Sequence, residues 1–265
     1  MTTTLVTGGT GTLGRVLVPR LAALGHHVRV LSRRPQPPSA TSTGAHAWFT
    51  GDLRSGQGVD AAVDGADVIV HCATSPRGEQ VAAGNLIAAA SRTSRPHLVY
   101  ISIVGVDQVP MFYYKHKLAT EKLVAGAGLP WTILRATQFH DLILTACQAL
   151  ARLPVMPVAA GVSFQPVDVR EVAGRLAELA SAPPAGRAGD LAGPQVATMT
   201  DLARSYLRAS GRHRRLLAVR LPGASFAAYR SGGHLAPGRA VGRITFEEFL
   251  AEQLGPARER SRERR

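Results

Sequence analysis

The chain has 265 residues, 45% of them hydrophobic and only 5% aromatic, with 18% charged residues and a formal net charge of +13. That hydrophobic content builds one substantial core and excludes a disordered chain. The positive charge is spread along the chain and forms no aromatic-interleaved basic patch, which argues against a specific nucleic-acid partner.

No uncharged apolar run approaches the ~18 residues of a membrane span, so no membrane partner is expected. The N-terminus lacks a basic region followed by an apolar one, which argues against a secretory signal. Cys72 and Cys147 are expected to be reduced thiols in a cytoplasmic protein.

The elements follow in chain order. Leu5-Val6 reads as a strand entering a glycine-rich turn. Leu13, Val16, Leu17, Leu21 and Leu24 then recur at helical spacing, and Gly25 ends the run. Pro19 falls inside this helix, where a kink is expected. Val28–Leu31 is a second strand, and Pro35, Pro37 and Pro38 mark a loop. Trp48-Phe49 leads into Gly51-Asp52-Leu53 as a third strand and its exit. A short helix over Val59–Val63, a strand over Asp67–Cys72 and a helix over Val81–Ser91 come next. A strand over Leu98–Val104, a helix over Tyr113–Ala125 and a strand over Trp131–Leu134 complete the series.

This alternation predicts an α/β fold: a doubly wound parallel sheet of the Rossmann type with a small C-terminal substrate lobe. The second half is less regular. It carries a helix over Leu142–Arg152, a Pro-rich crossing and a strand over Val162–Val167. Helices at Val169–Ala180, Met199–Ala209 and Thr245–Leu254 follow. The expected division is a dinucleotide-binding core at 1–155 and a lobe at 156–257 that caps the sheet's carboxyl edge. A basic tail at 258–265, with alternating charges and no apolar residues, is expected to be disordered.

The strongest chemical signal is Thr7-Gly8-Gly9-Thr10-Gly11-Thr12-Leu13-Gly14. Glycines at 8, 11 and 14 follow a strand and open a helix. The first permits the sharp turn, the second lets backbone approach a pyrophosphate, and the third lets helix and sheet pack closely. The helix N-terminus offers free N–H groups and partial positive charge to phosphate. Gly8, Thr10, Gly11, Thr12, Leu13 and Gly14 are therefore cofactor-binding candidates.

The second strand ends in Ser32-Arg33-Arg34, where an NAD-preferring site places a carboxylate for the ribose 2′-hydroxyl. Two guanidiniums there suit a 2′-phosphate instead, so Arg33 and Arg34 point to NADP(H). The rival reading is two solvated arginines in an arginine-rich chain.

With these residues in view, most of the chain resembles the atypical short-chain dehydrogenases/reductases, and in particular their NmrA-like branch. The resemblance implies that Asp52 faces the adenine, with Leu53 beside it. It implies that the segment His71-Cys72-Ala73-Thr74 lines the cofactor through Ala73 and Thr74. Tyr100-Ile101-Ser102 resembles the family's fifth strand, and Gln165-Pro166-Val167-Asp168-Val169 a segment of its C-terminal lobe. Gln138, Phe139 and His140 correspond to the turn that approaches nicotinamide and substrate. Members include NADPH-dependent reductases of quinones and ketones, and regulators that bind NADP(H) without turning it over.

Tyr113-Tyr114-Lys115-His116-Lys117 contains the superfamily's Tyr-x-x-x-Lys pair. Residues i and i+4 share a helix face. By the resemblance, Tyr113 donates a proton to a carbonyl oxygen as hydride arrives, while Lys117 holds the nicotinamide ribose and biases the phenol. The catalytic serine maps onto Ser102, although Ile103 departs from the usual Ser/Thr-rich run. Of 31 basic residues only Lys115, Lys117 and Lys122 are lysines, so a lysine at 117 is notable in a chain that otherwise writes arginine.

The expected function is an NADP(H)-dependent oxidoreductase transferring hydride to a small carbonyl, quinone or enone, as a monomer or homodimer. The alternatives are a non-catalytic NADP(H)-sensing regulator and a nucleotide-sugar epimerase. The nine histidines show no metal-ligand spacing.

Overall fold

The computed structural model describes residues 1–35, 46–75 and 78–255. Pro37, Pro38 and the tail at 258–265 lie outside them. The first elements are β1 (Thr3–Thr7), α1 (Thr12–Ala23), β2 (His27–Ser32), β3 (His46–Thr50), α2 (Val59–Val63) and β4 (Val68–His71). They continue as α3 (Glu79–Ser91), β5 (His97–Ile103), α4 (Phe112–Ala125) and β6 (Trp131–Ala136). Then come α5 (His140–Leu150), β7 (Val155–Ala159), β8 (Ser163–Phe164), α6 (Val169–Ala180), β9 (Gly186–Arg187) and β10 (Ala197–Thr198). The last are α7 (Met199–Ser210), β11 (Arg215–Val219), α8 (Ala224–Arg230) and α9 (Phe246–Leu254).

The main sheet has seven strands in the order β3-β2-β1-β4-β5-β6-β9. β1 pairs in parallel with β2 on one side and β4 on the other. The chain therefore winds outward to β3, returns past β1 and winds outward again. That reversal opens a crevice at the carboxyl ends of β1 and β4, where doubly wound sheets bind ligands. Strand alternation assigns the two faces. Leu5, Leu31, Ile69, Leu98, Tyr100 and Ile133 pack with Val59, Leu86 and Val124 from α2, α3 and α4. Val30 points the other way, toward Gly9 and α1. Helix α1 continues through Pro19.

The chain divides into two compact units, each discontinuous in sequence. The first comprises Met1–Ser102, Phe112–Arg135 and Arg170–Gly189, so β9 joins the sheet, and α6 from Arg170 on belongs to the same unit, although both lie beyond residue 155. The His26 ring makes one of its ties, bonding Thr4 Oγ1 at 2.7 Å and Ser181 Oγ at 2.9 Å.

The second unit comprises Ile103–Met111, Ala136–Val169 and the described residues from Asp190 on. Its core joins Ile143 and Cys147 of α5, Met156 and Val158 of β7, Leu202 and Tyr206 of α7, and Phe246, Phe249 and Leu250 of α9. A reciprocal capping box between Thr245 and Glu248 starts α9.

Two expectations in this unit are corrected. The strand expected over Val162–Val167 shrinks to Ser163–Phe164. Pro166 has no N–H to give, and the Gln165 side chain instead bonds Gly193 O and the Ala236 N–H, each at 2.9 Å. The Pro-rich crossing holds β7, which pairs in parallel with β11 and places Pro157 opposite Leu217. A two-stranded sheet has only edges, where a proline is tolerated. Among the described residues no helix is long and apolar enough to cross a membrane.

Candidate functional site

Two positions of the glycine turn, Gly8 and Gly14, leave no space for a side chain. Gly8 has φ +71°, and a Cβ there would lie 2.7 Å from Ala73 N and 2.8 Å from Ala73 Cα. A Cβ on Gly14 would lie 2.3 Å from Gly8 O. The turn is closed by the Gly11 N–H donating to Gly8 O at 2.9 Å. Its outer edge is open: Thr10, Gly11 and Thr12 are exposed, while Leu13 and Gly14 are buried against the sheet. No side chain caps α1, and its first turn holds no acid. That end is thus a backbone cradle suited to a phosphate.

Around this cradle, β2 ends with Ser32 buried and Arg33 and Arg34 exposed. The Ser32 hydroxyl accepts the Arg34 N–H at 3.1 Å, and Arg34 O accepts from Trp48 Nε1 at 3.0 Å. These bonds fix the backbone and leave the guanidiniums on the surface. Asp52 receives the Arg54 N–H on Oδ1 at 2.9 Å, and Asn85 donates to Leu53 O at 2.8 Å. Ala73 N donates to Thr7 Oγ1 at 3.3 Å, tying the exit of β4 to the end of β1.

The face of α4 formed by Tyr114, Lys117, Glu121 and Val124 is buried, and it carries two charges. Each is neutralised. Glu121 takes a two-point bond from Arg135 of β6, at 2.7 and 2.6 Å. The Lys117 ammonium meets Glu79 Oε1 at 2.8 Å, donates to Ile101 O at 3.1 Å, and lies 4.7 Å from the centre of the Tyr100 ring. Lys117 and Glu79 are 3% and 1% exposed, so removing either partner would leave a bare interior charge, at a cost of about 3–5 kcal/mol.

Glu79 is the hub of this cluster. Its Oε1 also accepts the Tyr100 hydroxyl at 2.7 Å. Its Oε2 accepts Thr74 Oγ1 at 3.1 Å, and that hydroxyl lies 2.9 Å from the Tyr113 hydroxyl. Burial, then the Glu79 carboxylate, hold the Tyr100 phenol well above its usual range. His71 stacks on Tyr100 with centroids 5.6 Å apart. Burial first, and the Lys117 ammonium second, lower His71 to about 4, so its ring is neutral. Its Nδ1 bonds Thr7 Oγ1 at 2.7 Å. His71 Nε2 and Ser102 Oγ are buried without a hydrogen-bond partner among the described residues.

With the fold and these contacts established, the comparisons with known proteins are decisive. Residues 8–152 match the NAD(P)H-binding family model. The chain belongs to this family. It is an atypical short-chain dehydrogenase/reductase of the NmrA-like kind.

One relative of this family member is the (4-alkanoyl-5-oxo-2,5-dihydrofuran-3-yl)methyl phosphate reductase of Streptomyces griseus. It is 31% identical over 215 residues, covering 78% of this chain and 74% of that protein. Quinone oxidoreductase 2 of Escherichia coli is 25% identical over 214 residues, again covering 78% and 74%. The crystal structure of the NADPH-dependent quinone oxidoreductase of Escherichia coli complexed with NADPH superposes with a TM-score of 0.81. It covers 94% of this chain and 99% of that one at 21% identity, a likeness of fold.

The first unit of this NAD(P)H-binding protein thus gathers the expected glycines, Arg33, Arg34, Asp52, Leu53, Ala73, Thr74, Ser102, Tyr113 and Lys117. Tyr113 bonds Thr74 and Lys117 meets Glu79, so the two side chains are linked through Thr74 and Glu79. His140, expected beside a substrate, is buried in the second unit. It stacks at 5.1 Å on Phe249 and bonds Ile244 O at 3.0 Å. Glu79 is the residue that sequence reasoning missed. It stands outside the helix expected from Val81, and it is the only charged residue of an Ala-rich α3. That isolation is the signal. Among the described residues, no three His, Cys, Asp or Glu side chains gather as a metal site.

Proposed function

We propose that the chain is an NADP(H)-dependent reductase that delivers hydride to a small carbonyl, quinone or enone. Gly8, Thr10, Gly11, Thr12, Leu13 and Gly14 receive the pyrophosphate. Arg33 and Arg34 receive the 2′-phosphate, and Asp52, Leu53, Ala73 and Thr74 line the adenosine and ribose side. Tyr113 is the proton donor, with Lys117 and Ser102 beside the reacting end.

The observation that carries this reading is the half-buried Tyr113 phenol, the outermost group of a hydrogen-bonded chain that ends on a buried ion pair. Two of the three Lys117 ammonium hydrogens are committed to Glu79 and Ile101, and one remains for a ribose hydroxyl. The partnerless Ser102 hydroxyl shares a sheet face with Tyr100, two residues away, and so adds a polar group to the same region. The named reductases among the relatives add support.

One feature favours the sensor reading: the Lys117 side chain is engaged by protein before any ligand arrives. NADPH oxidation against a panel of quinones, ketones and enones separates the two. Turnover of any acceptor supports the reductase. Tight NADPH binding with no turnover across the panel would make the sensor the better account.

A further inference from the structure

A carboxylate accepts hydrogen bonds and never donates one. The single proton of the Thr74 hydroxyl therefore goes to Glu79 Oε2, at 3.1 Å. The Thr74 oxygen is left as acceptor for the Tyr113 hydroxyl at 2.9 Å. The direction of the whole chain follows from one charge: Tyr113 gives to Thr74, and Thr74 gives to Glu79. On its other oxygen the same carboxylate holds the Lys117 ammonium and the Tyr100 hydroxyl.

We propose that Glu79 is the positioning residue of this site, fixing Lys117 through one oxygen and, through Thr74, the orientation of the Tyr113 hydroxyl through the other. The inference rests on the reductase reading for its catalytic consequence, but the hydrogen-bond direction stands without it.

In the reduction, the Tyr113 proton would leave the Thr74 oxygen for the carbonyl oxygen of the acceptor, while a bound reduced nicotinamide would supply the hydride to the carbonyl carbon, giving the alcohol and the oxidised cofactor. The phenolate left on Tyr113 takes a hydrogen bond from Thr74, whose proton turns away from Glu79. Solvent then returns a proton to Tyr113, which is partly exposed. Tyr113 touches Thr74 and the Tyr114 ring directly, and the charged and titratable groups behind Thr74 are the Glu79 carboxylate of α3, the Lys117 ammonium of α4, the Tyr100 phenol of β5 and the neutral His71 of β4.

An amide at position 79 can donate as well as accept, so Glu79→Gln permits the chain to reverse and leaves the ammonium uncompensated. Misplacing a reacting group costs on the order of 10²-fold. Glu79→Gln should lower kcat on that order with little change in the acceptor KM, and Glu79→Asp should recover part of it.

Thr74 is exposed, so its variants do not threaten folding. Thr74→Val, which cannot pass the bond, should lose kcat, and Thr74→Ser should retain it. One readout does not need turnover. Burial first, and the Glu79 carboxylate second, hold the Tyr100 phenol up, so in an ultraviolet titration Glu79→Gln should shift a tyrosinate signal to lower pH than in wild type, and Tyr100→Phe should remove it. Absence of that shift, or equal kcat in Thr74→Val and Thr74→Ser, would overturn the role of Glu79. An inactive wild-type protein with the tyrosinate shift present would count against the reductase reading alone.

Discussion

Replacing Gly8 by alanine tests the cradle, because its two costs can be separated. The first is conformational: φ at Gly8 is +71°, and an L-residue held there costs about 1–2 kcal/mol. The second is steric. The new Cβ would lie 2.7 Å from Ala73 N and 2.9 Å from Cys72 C, backbone atoms at the exit of β4 that cannot swing aside. Forcing an extra methyl into such a space costs about 1–3 kcal/mol. The sum is about 2–5 kcal/mol, or a fall in Tm of roughly 4–20 °C for a chain of this size.

Gly25 supplies the control. Its φ is +82°, with nothing within 4 Å of a built Cβ, so Gly25→Ala bears only the first cost. Thermal unfolding should rank Gly8→Ala well below Gly25→Ala. NADPH titration should show weakened binding only for Gly8→Ala, by roughly 10–150-fold if one charge-assisted hydrogen bond of about 1.5–3 kcal/mol is lost. Equal loss of stability in the two variants would refute the steric argument, and unchanged NADPH affinity in Gly8→Ala would refute the assignment of the turn to the cofactor.

Two further outcomes are expected. Wild-type protein should bind NADPH more tightly than NADH, and Arg33→Ala should narrow the gap by roughly 10–150-fold, about 1.5–3 kcal/mol for one charged pair; equal affinities in wild type would dismiss the 2′-phosphate role. For His71, the folded value of about 4 lies below the unfolded 6.5. Between those values the unfolded chain takes a proton that the folded chain refuses. Stability is therefore complete above pH 6.5 and falls by about 3 kcal/mol as pH drops to 4. His71→Gln should flatten that part of a denaturant-unfolding series, and an unaltered slope would show that His71 is not the group responsible.

The parts of the fold that sequence reveals are those set by local rules. The alternation of apolar runs from Leu5 to Leu134 locates six strands, and the glycine spacing locates the turn, because period and φ are properties of neighbouring residues. The second unit resists this reading. Its strands β8 and β10 have two residues each, too short to display a period, and β7 and β11 pair across more than fifty residues of chain. Side-chain pairing is equally hidden. Tyr113 and Lys117 are visible as an i, i+4 pair, but nothing local announces that Lys117 prefers Glu79, or that Arg135 of β6 answers Glu121 of α4.

The scarcity of lysine gains a physical reason from this pairing. Lys115 and Lys122 are exposed, and an arginine would serve at either position. Lys117 differs: its Nζ fits between Glu79 Oε1 at 2.8 Å, Ile101 O at 3.1 Å and the Tyr100 ring at 4.7 Å, in a site 3% exposed. A guanidinium is planar, longer and carries five donors, and this site offers two acceptors. Lys117→Arg would thus keep the charge, crowd Tyr100 and leave buried N–H groups unpaired, each costing about 1–3 kcal/mol. Lys115→Arg and Lys122→Arg should match wild type in Tm and NADPH turnover, while Lys117→Arg should lose both. An Lys117→Arg protein as stable and active as wild type would mean that only charge is required at this position, and that the compact geometry around Glu79 is incidental.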